Sequence, residues 1–253
     1  MHNLIKQIPN FITILNLIAG FIAIILSFDI DFMSVAPYFI LAAAVFDVCD
    51  GLFAKLLNSS SVFGKELDSL ADAIAFGVAP GIMLFNLLKM SLVEHNKVFN
   101  FLSVSSIELI TLSTSVLIPV FAVIRLARFN TDDTQKYSFK GLPVPASAIL
   151  IASICLIFLE KNVSWIHSMI LSHYFLIGLI AVLSFLMVSD IPMFSLKMSK
   201  FSFKENPFIG SFILFSLLLL IFLKVYGIPL IIISYILISV FRMIFKFDQW
   251  NVK

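Results

Sequence analysis

Long apolar runs alternate along the chain with short polar breaks. Eight can be delimited: Phe11–Phe28, Val35–Leu57, Leu67–Met90, Ile107–Phe129, Val144–Leu159, Met169–Val188, Pro207–Leu223 and Ile228–Phe245. About 20 apolar residues of helix cross the hydrocarbon core of a bilayer, and most of these runs are near that length. The pattern therefore predicts an all-α, polytopic integral membrane bundle of about eight transmembrane helices. Pro9 and Asn10 open the first run, Asp29 and Asp31 mark its far end, and Gly227–Pro229 punctuates the last hairpin. The first run is too long for a signal-peptide core and no small-x-small cleavage site follows it, so it is expected to stay as the first membrane helix. There is no tandem repeat and no soluble linker, which predicts a single membrane domain over residues 1–253.

Composition supports lipid as the solvent. Of 253 residues 60% are hydrophobic and only 13% charged, where a soluble domain carries about a quarter charged residues. A net charge of +2 is too small to suggest nucleic acid as a partner. Cation placement gives sidedness. With the N-terminus in the cytoplasm, 13 Lys and Arg fall inside and only Lys89, Lys97, Lys161 and Lys224 outside. The positive-inside rule then puts both termini, and the loop Asn58–Phe63, on the cytoplasmic side of an inner or plasma membrane. Cys49 and Cys155 lie in apolar runs and read as packing residues, with no Cys/His spacing for zinc. His2, His95, His167 and His173 are scattered, and none is spaced with a carboxylate or Ser as a triad requires.

Against this background the stretch from Asp47 to Asp72 stands apart. Asp47 and Asp50 are three residues apart, while Gly64, Asp68 and Asp72 recur every four, so each set shares a helix face. Folding the two helices antiparallel would bring four carboxylates together beside Gly51, Ala54 and Gly64. At membrane depth four carboxylates cost about 10 kcal/mol if uncompensated. Divalent cations such as Mg²⁺ or Mn²⁺ are the natural compensation, and two of them can hold the attacking and leaving oxygens around a phosphorus atom. Two readings of each feature stay open from the residues alone. The aspartates fit a metal site, or the ion relay of a cation- or proton-coupled transporter. The small residues admit a nucleotide to the helix backbone, or let helices pack closely.

The stretch reads D-x2-D-G-x2-A-K-x8-G-x3-D-x3-D. It resembles the signature of the CDP-alcohol phosphotransferase family, differing only at Lys55, where the family usually has Arg. Lys keeps the charge but loses the planar fork for phosphate. The resemblance implies that Asp47, Asp50, Asp68 and Asp72 bind two divalent cations and that Asp72 is also the catalytic base. It implies a CDP site lined by Asp50, Gly51, Ala54, Lys55 and Gly64. Three further stretches resemble the phosphatidylserine synthases of that family: Pro9–Phe21, Leu67–Pro80, and R-L-A-R-F-N at Arg125–Asn130 followed by Phe139–Ala146. With S-L-K at Lys197 they cover most of residues 1–200 and fade over 201–253. This marks a catalytic core followed by an additional helical hairpin that looks like scaffold or dimer-facing helices. The implied substrates are CDP-diacylglycerol and L-serine, giving phosphatidylserine and CMP in a homodimer. Glycerol 3-phosphate or inositol phosphate as acceptor is the alternative within the family.

Around that core, Arg125, Arg128, Asn130 and Lys140 are candidate acceptor- or phosphate-binding residues. Plain anchoring for the arginines, helix capping for Asn130 and snorkelling for Lys140 and Lys197 are the competing readings. Thr13 and Asn16, polar inside the first run, either face the nucleotide or make interhelical hydrogen bonds.

Overall fold

The computed structural model describes residues 6–29, 32–59, 61–92, 105–132, 139–160, 163–194 and 207–245. His2, His95, Lys97, Lys136, Lys161, Lys197, Lys200, Lys204, Lys246 and Lys253, used in the sidedness, triad and head-group readings, lie outside these residues.

Each of the eight apolar runs is helical. Helix α1, Ile8–Ser27, and helix α2, Ala36–Leu56, both carry Pro at their first or second position, where the missing N–H would have no intrahelical partner anyway. Helix α2 stops at Asn58, whose φ of 46° is left-handed, a conformation that Asn tolerates at helix ends. The Ser59 N–H then donates back to the Ala54 carbonyl at 3.0 Å. Ser61 caps the next helix by accepting from the Gly64 N–H at 2.9 Å. Asn58 and Ser59 thus stop one helix, and Ser61 starts the next.

Helix α3, Val62–Asp72, passes through a π-helical turn, Ala73–Val78, into helix α4, Ala79–Leu92. Pro80 has no N–H to give to the carbonyl four residues back, and the wider turn accommodates that loss. Helix α5, Ser106–Ser113, starts at a capping box between Ser105 and Glu108 and continues through a single 3₁₀ turn into helix α6, Leu117–Thr131. Helix α7, Val144–Glu160, is buried on nearly every face and forms the centre of the bundle. Helices α8, Ser164–Ile170, and α9, His173–Val188, meet at a bend of 65°. Helices α10, Pro207–Leu223, and α11, Gly227–Ile244, fold back on each other at Lys224, where φ is 50°. A two-residue antiparallel ladder pairs β1, Phe139–Lys140, with β2, Pro192–Met193.

The protein is an integral membrane protein. Four stretches are long and apolar enough to cross a bilayer (Ile8–Ser27, Val62–Leu92, Ser106–Thr131 and Phe208–Ile244), and the bent α8–α9 pair makes a fifth. The sequence pattern predicts about eight crossings, and the difference has physical sources. Helix α2 carries Asp47, Asp50 and Lys55 within its 21 residues, α7 has only 17, and the last stretch is a hairpin with legs of 17 and 18 residues. Large apolar side chains cover the outside, among them Phe11, Phe21, Phe185 and Phe222, which is the surface a lipid solvent selects.

Helix α1 lies along α2 and also touches α3 and the π turn, while α6 and α9 close the far side. The α3–α4 rod approaches α1 and α6 very closely at Gly20 and Gly81. A Cβ on Gly20 would sit 2.5 Å from the Ala75 Cα, and one on Gly81 would sit 2.9 Å from the Pro119 ring. The α3–α4 rod is therefore clamped between α1 and α6, which fixes the height and rotation of Asp68 and Asp72.

Candidate active site

The aspartates come together at the mouth between α2 and α3. One carboxylate oxygen each from Asp47, Asp50 and Asp68 lies within 4.8 Å of the other two. Oxygens bound to one Mg²⁺ at about 2.1 Å are at most ~4.2 Å apart, so a small contraction closes this set around a hard cation. The donor chemistry, all carboxylate oxygen, fits Mg²⁺ or Mn²⁺ and no soft metal. Asp72 stands beside this trio. It is buried, within electrostatic reach of Asp47, Asp68 and Asp50, and accepts a hydrogen bond from Asn16 Nδ2 at 3.0 Å.

The two aspartate helices do not run packed against each other. Each rests on α1, and their carboxylates converge across the gap. Mutual repulsion of the carboxylates opposes a tight pair. A cleft results, and the small residues divide accordingly. A Cβ on Gly51 would meet nothing within 4 Å, so this glycine faces open space. A Cβ on Gly64 would meet Asn10 Oδ1 at 2.9 Å and Ser61 Oγ at 3.1 Å, so that glycine serves close packing at the start of α1. Ala54 is half-buried and Lys55 is exposed one turn beyond Gly51.

Helix α1 orients the acids. Thr13 Oγ1 donates to Asp50 Oδ2 at 2.7 Å and lies 3.0 Å from the Pro9 carbonyl, and Asn16 holds Asp72. Both side chains are buried. Thr13 and Asn16 thus make interhelical hydrogen bonds.

A cavity of about 360 Å³ opens between the end of α6 and the end of α9, with Arg125, Arg128, Asp132, Lys140 and Asp190 in its wall. Arg125 is buried, its guanidinium lies 5.2 Å from the Phe129 ring, and it is within electrostatic reach of Asp72. It therefore joins the cavity to the aspartates. Arg128 Nη1 donates to the Val188 carbonyl at 2.9 Å, and Lys140 pairs with Asp132 at 3.3 Å. Asn130 is placed elsewhere. Its amide donates to Ser69 Oγ at 2.8 Å and ties the end of α6 to α3.

Three residues with a place here were not singled out from sequence. Asp132 and Asp190 line the cavity. Tyr235, on α11, donates to the Phe194 carbonyl at 3.0 Å just after β2. Asp190 directly follows the M-V-S end of an apolar run, and a charge at that position was the one available signal.

The chain is similar in sequence to known proteins. The family model for CDP-alcohol phosphatidyltransferase matches residues 6–177. The chain is 34% identical over 203 residues to the CDP-diacylglycerol–serine O-phosphatidyltransferase of Helicobacter pylori strain J99, covering 78% of this chain and 75% of that one. It is 30% identical over 189 residues to the protein of the same name from Methanocaldococcus jannaschii, covering 74% and 73%. Identity to the archaetidylserine synthase of Methanothermobacter thermautotrophicus is 31% over 148 residues, covering 58% and 56%.

Proposed function

The chain belongs to the CDP-alcohol phosphatidyltransferase family, and from that premise we infer that it is a CDP-diacylglycerol–serine O-phosphatidyltransferase. It transfers the phosphatidyl group of CDP-diacylglycerol to the hydroxyl of L-serine and releases CMP. The observation that carries the chemistry is the convergence of Asp47, Asp50 and Asp68, from two different helices, on one point. Serine as acceptor is supported by the names of relatives that share about a third of their residues with three-quarters of this chain.

In the proposed mechanism Asp47, Asp50, Asp68 and Asp72 would hold two divalent cations. Bound there, the cations would polarise the diphosphate and neutralise charge developing on it. Asp72 takes the proton from the serine hydroxyl as its oxygen forms a bond to the β-phosphorus. The bond from that phosphorus to the bridging oxygen breaks, and CMP leaves with the electron pair. The Asn16 hydrogen bond that orients Asp72, and its electrostatic reach to the trio, support this role. The open face at Gly51 gives the cytidine diphosphate access to the backbone of α2, with Ala54 and Lys55 along the same edge. The cavity at Arg125, Arg128 and Lys140 is the acceptor pocket, with the arginines facing the serine carboxylate. A cytoplasmic site is supported by the 13-to-4 distribution of Lys and Arg. A homodimer is part of this reading.

The test is CMP release from CDP-diacylglycerol by purified protein with Mg²⁺ or Mn²⁺. Parallel reactions contain L-serine, glycerol 3-phosphate, inositol phosphate or no acceptor, with a chelator control. Metal-dependent release selective for serine is the expected result. Selectivity for a phosphorylated acceptor would overturn the substrate, and no release by folded protein would overturn the activity.

A further inference from the structure

The acceptor cavity carries both signs of charge. Arg125, Arg128 and Lys140 supply the cations, and Asp132 and Asp190 the anions. A pocket built only for a phosphate has no use for carboxylates in its wall, since like charges repel the ligand. Serine at neutral pH is a zwitterion, with a carboxylate and an ammonium on the same carbon. A pocket lined by both signs matches it.

The two acids are not equivalent. Asp132 accepts from Lys140 Nζ at 3.3 Å, so each already has the other's charge to answer. Asp190 has no ion-pair partner among the described residues, and its side chain is exposed at the cavity wall. Its backbone is fixed on both sides. The preceding Ser189 Oγ donates to the Leu186 carbonyl at 2.9 Å, and the following Ile191 carbonyl accepts from the Gly141 N–H at 2.9 Å. Gly141 is itself locked in place, with φ of 76° and a hypothetical Cβ 2.5 Å from the Met187 carbonyl. A carboxylate on such a pinned segment binds a cation with little ordering cost.

We propose that Asp190 is a specificity-determining residue that receives the ammonium group of the serine acceptor, while the arginines of the same cavity take its carboxylate. This rests on the reading of the chain as a serine phosphatidyltransferase. It assigns discrimination against acceptors without an ammonium to one side chain that lies beyond residues 6–177, the part matched by the family model.

The experiment compares full-length wild type with Asp190→Asn, and with Asp190→Glu as the conservative variant. CMP release is measured against L-serine and against 3-hydroxypropionate, which keeps serine's hydroxyl and carboxylate but lacks the amino group. Loss of a charge-assisted hydrogen bond predicts a serine KM raised about tenfold or more in Asp190→Asn. The turnover number and the KM for CDP-diacylglycerol stay near wild type, and the preference for serine over 3-hydroxypropionate falls by a similar factor. Asp190→Glu recovers part of that preference. An Asp190→Asn enzyme with unchanged serine KM and unchanged preference overturns the proposal while leaving the activity intact. Wild type that ignores serine and uses a phosphorylated acceptor overturns the functional reading itself.

Discussion

At the scale of single residues, Asp50 and Asp72 each take a hydrogen bond from helix α1, through Thr13 and Asn16. The spacing of Asp47, Asp50, Asp68 and Asp72 fixes helix faces by local geometry alone. The partners Thr13 and Asn16 lie 37 and 56 residues from the aspartates they hold, and nothing local says which helix comes alongside. Their roles separate by experiment. Asp72→Asn removes the proposed base while an amide can still fill the space, so turnover should fall at least about a hundredfold. The size-exclusion profile in detergent should be unchanged. Near-normal CMP release by this variant would rule out Asp72 as base. Thr13→Val deletes only the hydroxyl that orients Asp50. Outer-shell losses of this kind weaken metal binding by about 10–100-fold. The metal concentration for half-maximal CMP release should rise by that order, with turnover recovering at saturating metal. Unchanged metal dependence would show that Asp50 needs no such support.

At the scale of elements, the glycines carry opposite duties that composition cannot distinguish. Gly20 and Gly81 permit backbone contact between helices, while Gly51 faces space. Gly51→Ala should therefore leave the thermal midpoint in detergent equal or slightly higher, since Ala is favoured over Gly in a helix interior by about 0.5–1 kcal/mol. The KM for CDP-diacylglycerol should rise because the added methyl occupies the nucleotide's approach. A lower midpoint with unchanged KM would return Gly51 to a packing role. The last hairpin was the least legible element, because an apolar helix pair shows no partner in its own pattern. The structure gives it one. Tyr235 is buried, stacks edge-on to Phe194 at 4.6 Å between centroids, and donates to the Phe194 carbonyl. Arg242 adds a guanidinium 4.7 Å from the Phe208 ring. These contacts hold the chain leaving β2, whose partner β1 carries Lys140 at the cavity. Tyr235→Phe keeps the ring and loses the hydrogen bond. It should raise the serine KM several-fold (about one neutral hydrogen bond's worth) and leave the CDP-diacylglycerol KM alone. Equal changes in both constants would mean a general loosening instead.

At the scale of the whole molecule, lipid as solvent explains why the bundle was readable and its crossings less so. Hydropathy finds apolar helices wherever they lie. It counts against α2 because Asp47, Asp50 and Lys55 are on it, and it cannot see that Phe208–Ile244 doubles back. Sidedness is a separate property, set by cations at the ends of the spans. The 13-to-4 distribution predicts that the start of α3 faces the cytoplasm and the far end of α1 faces out. Phe63 and Phe28 are exposed at those two ends, at 67% and 76%. Single cysteines at each position, with Cys49→Ser and Cys155→Ala in the background, make the prediction measurable with a membrane-impermeant maleimide. In intact cells Phe28→Cys should label and Phe63→Cys should not. In inverted vesicles the pattern should exchange. The reverse pattern would place the aspartate cluster on the outer face, away from cytoplasmic serine, and equal labelling of both from one side would mean that α1 and α2 together cross the membrane differently from two antiparallel spans.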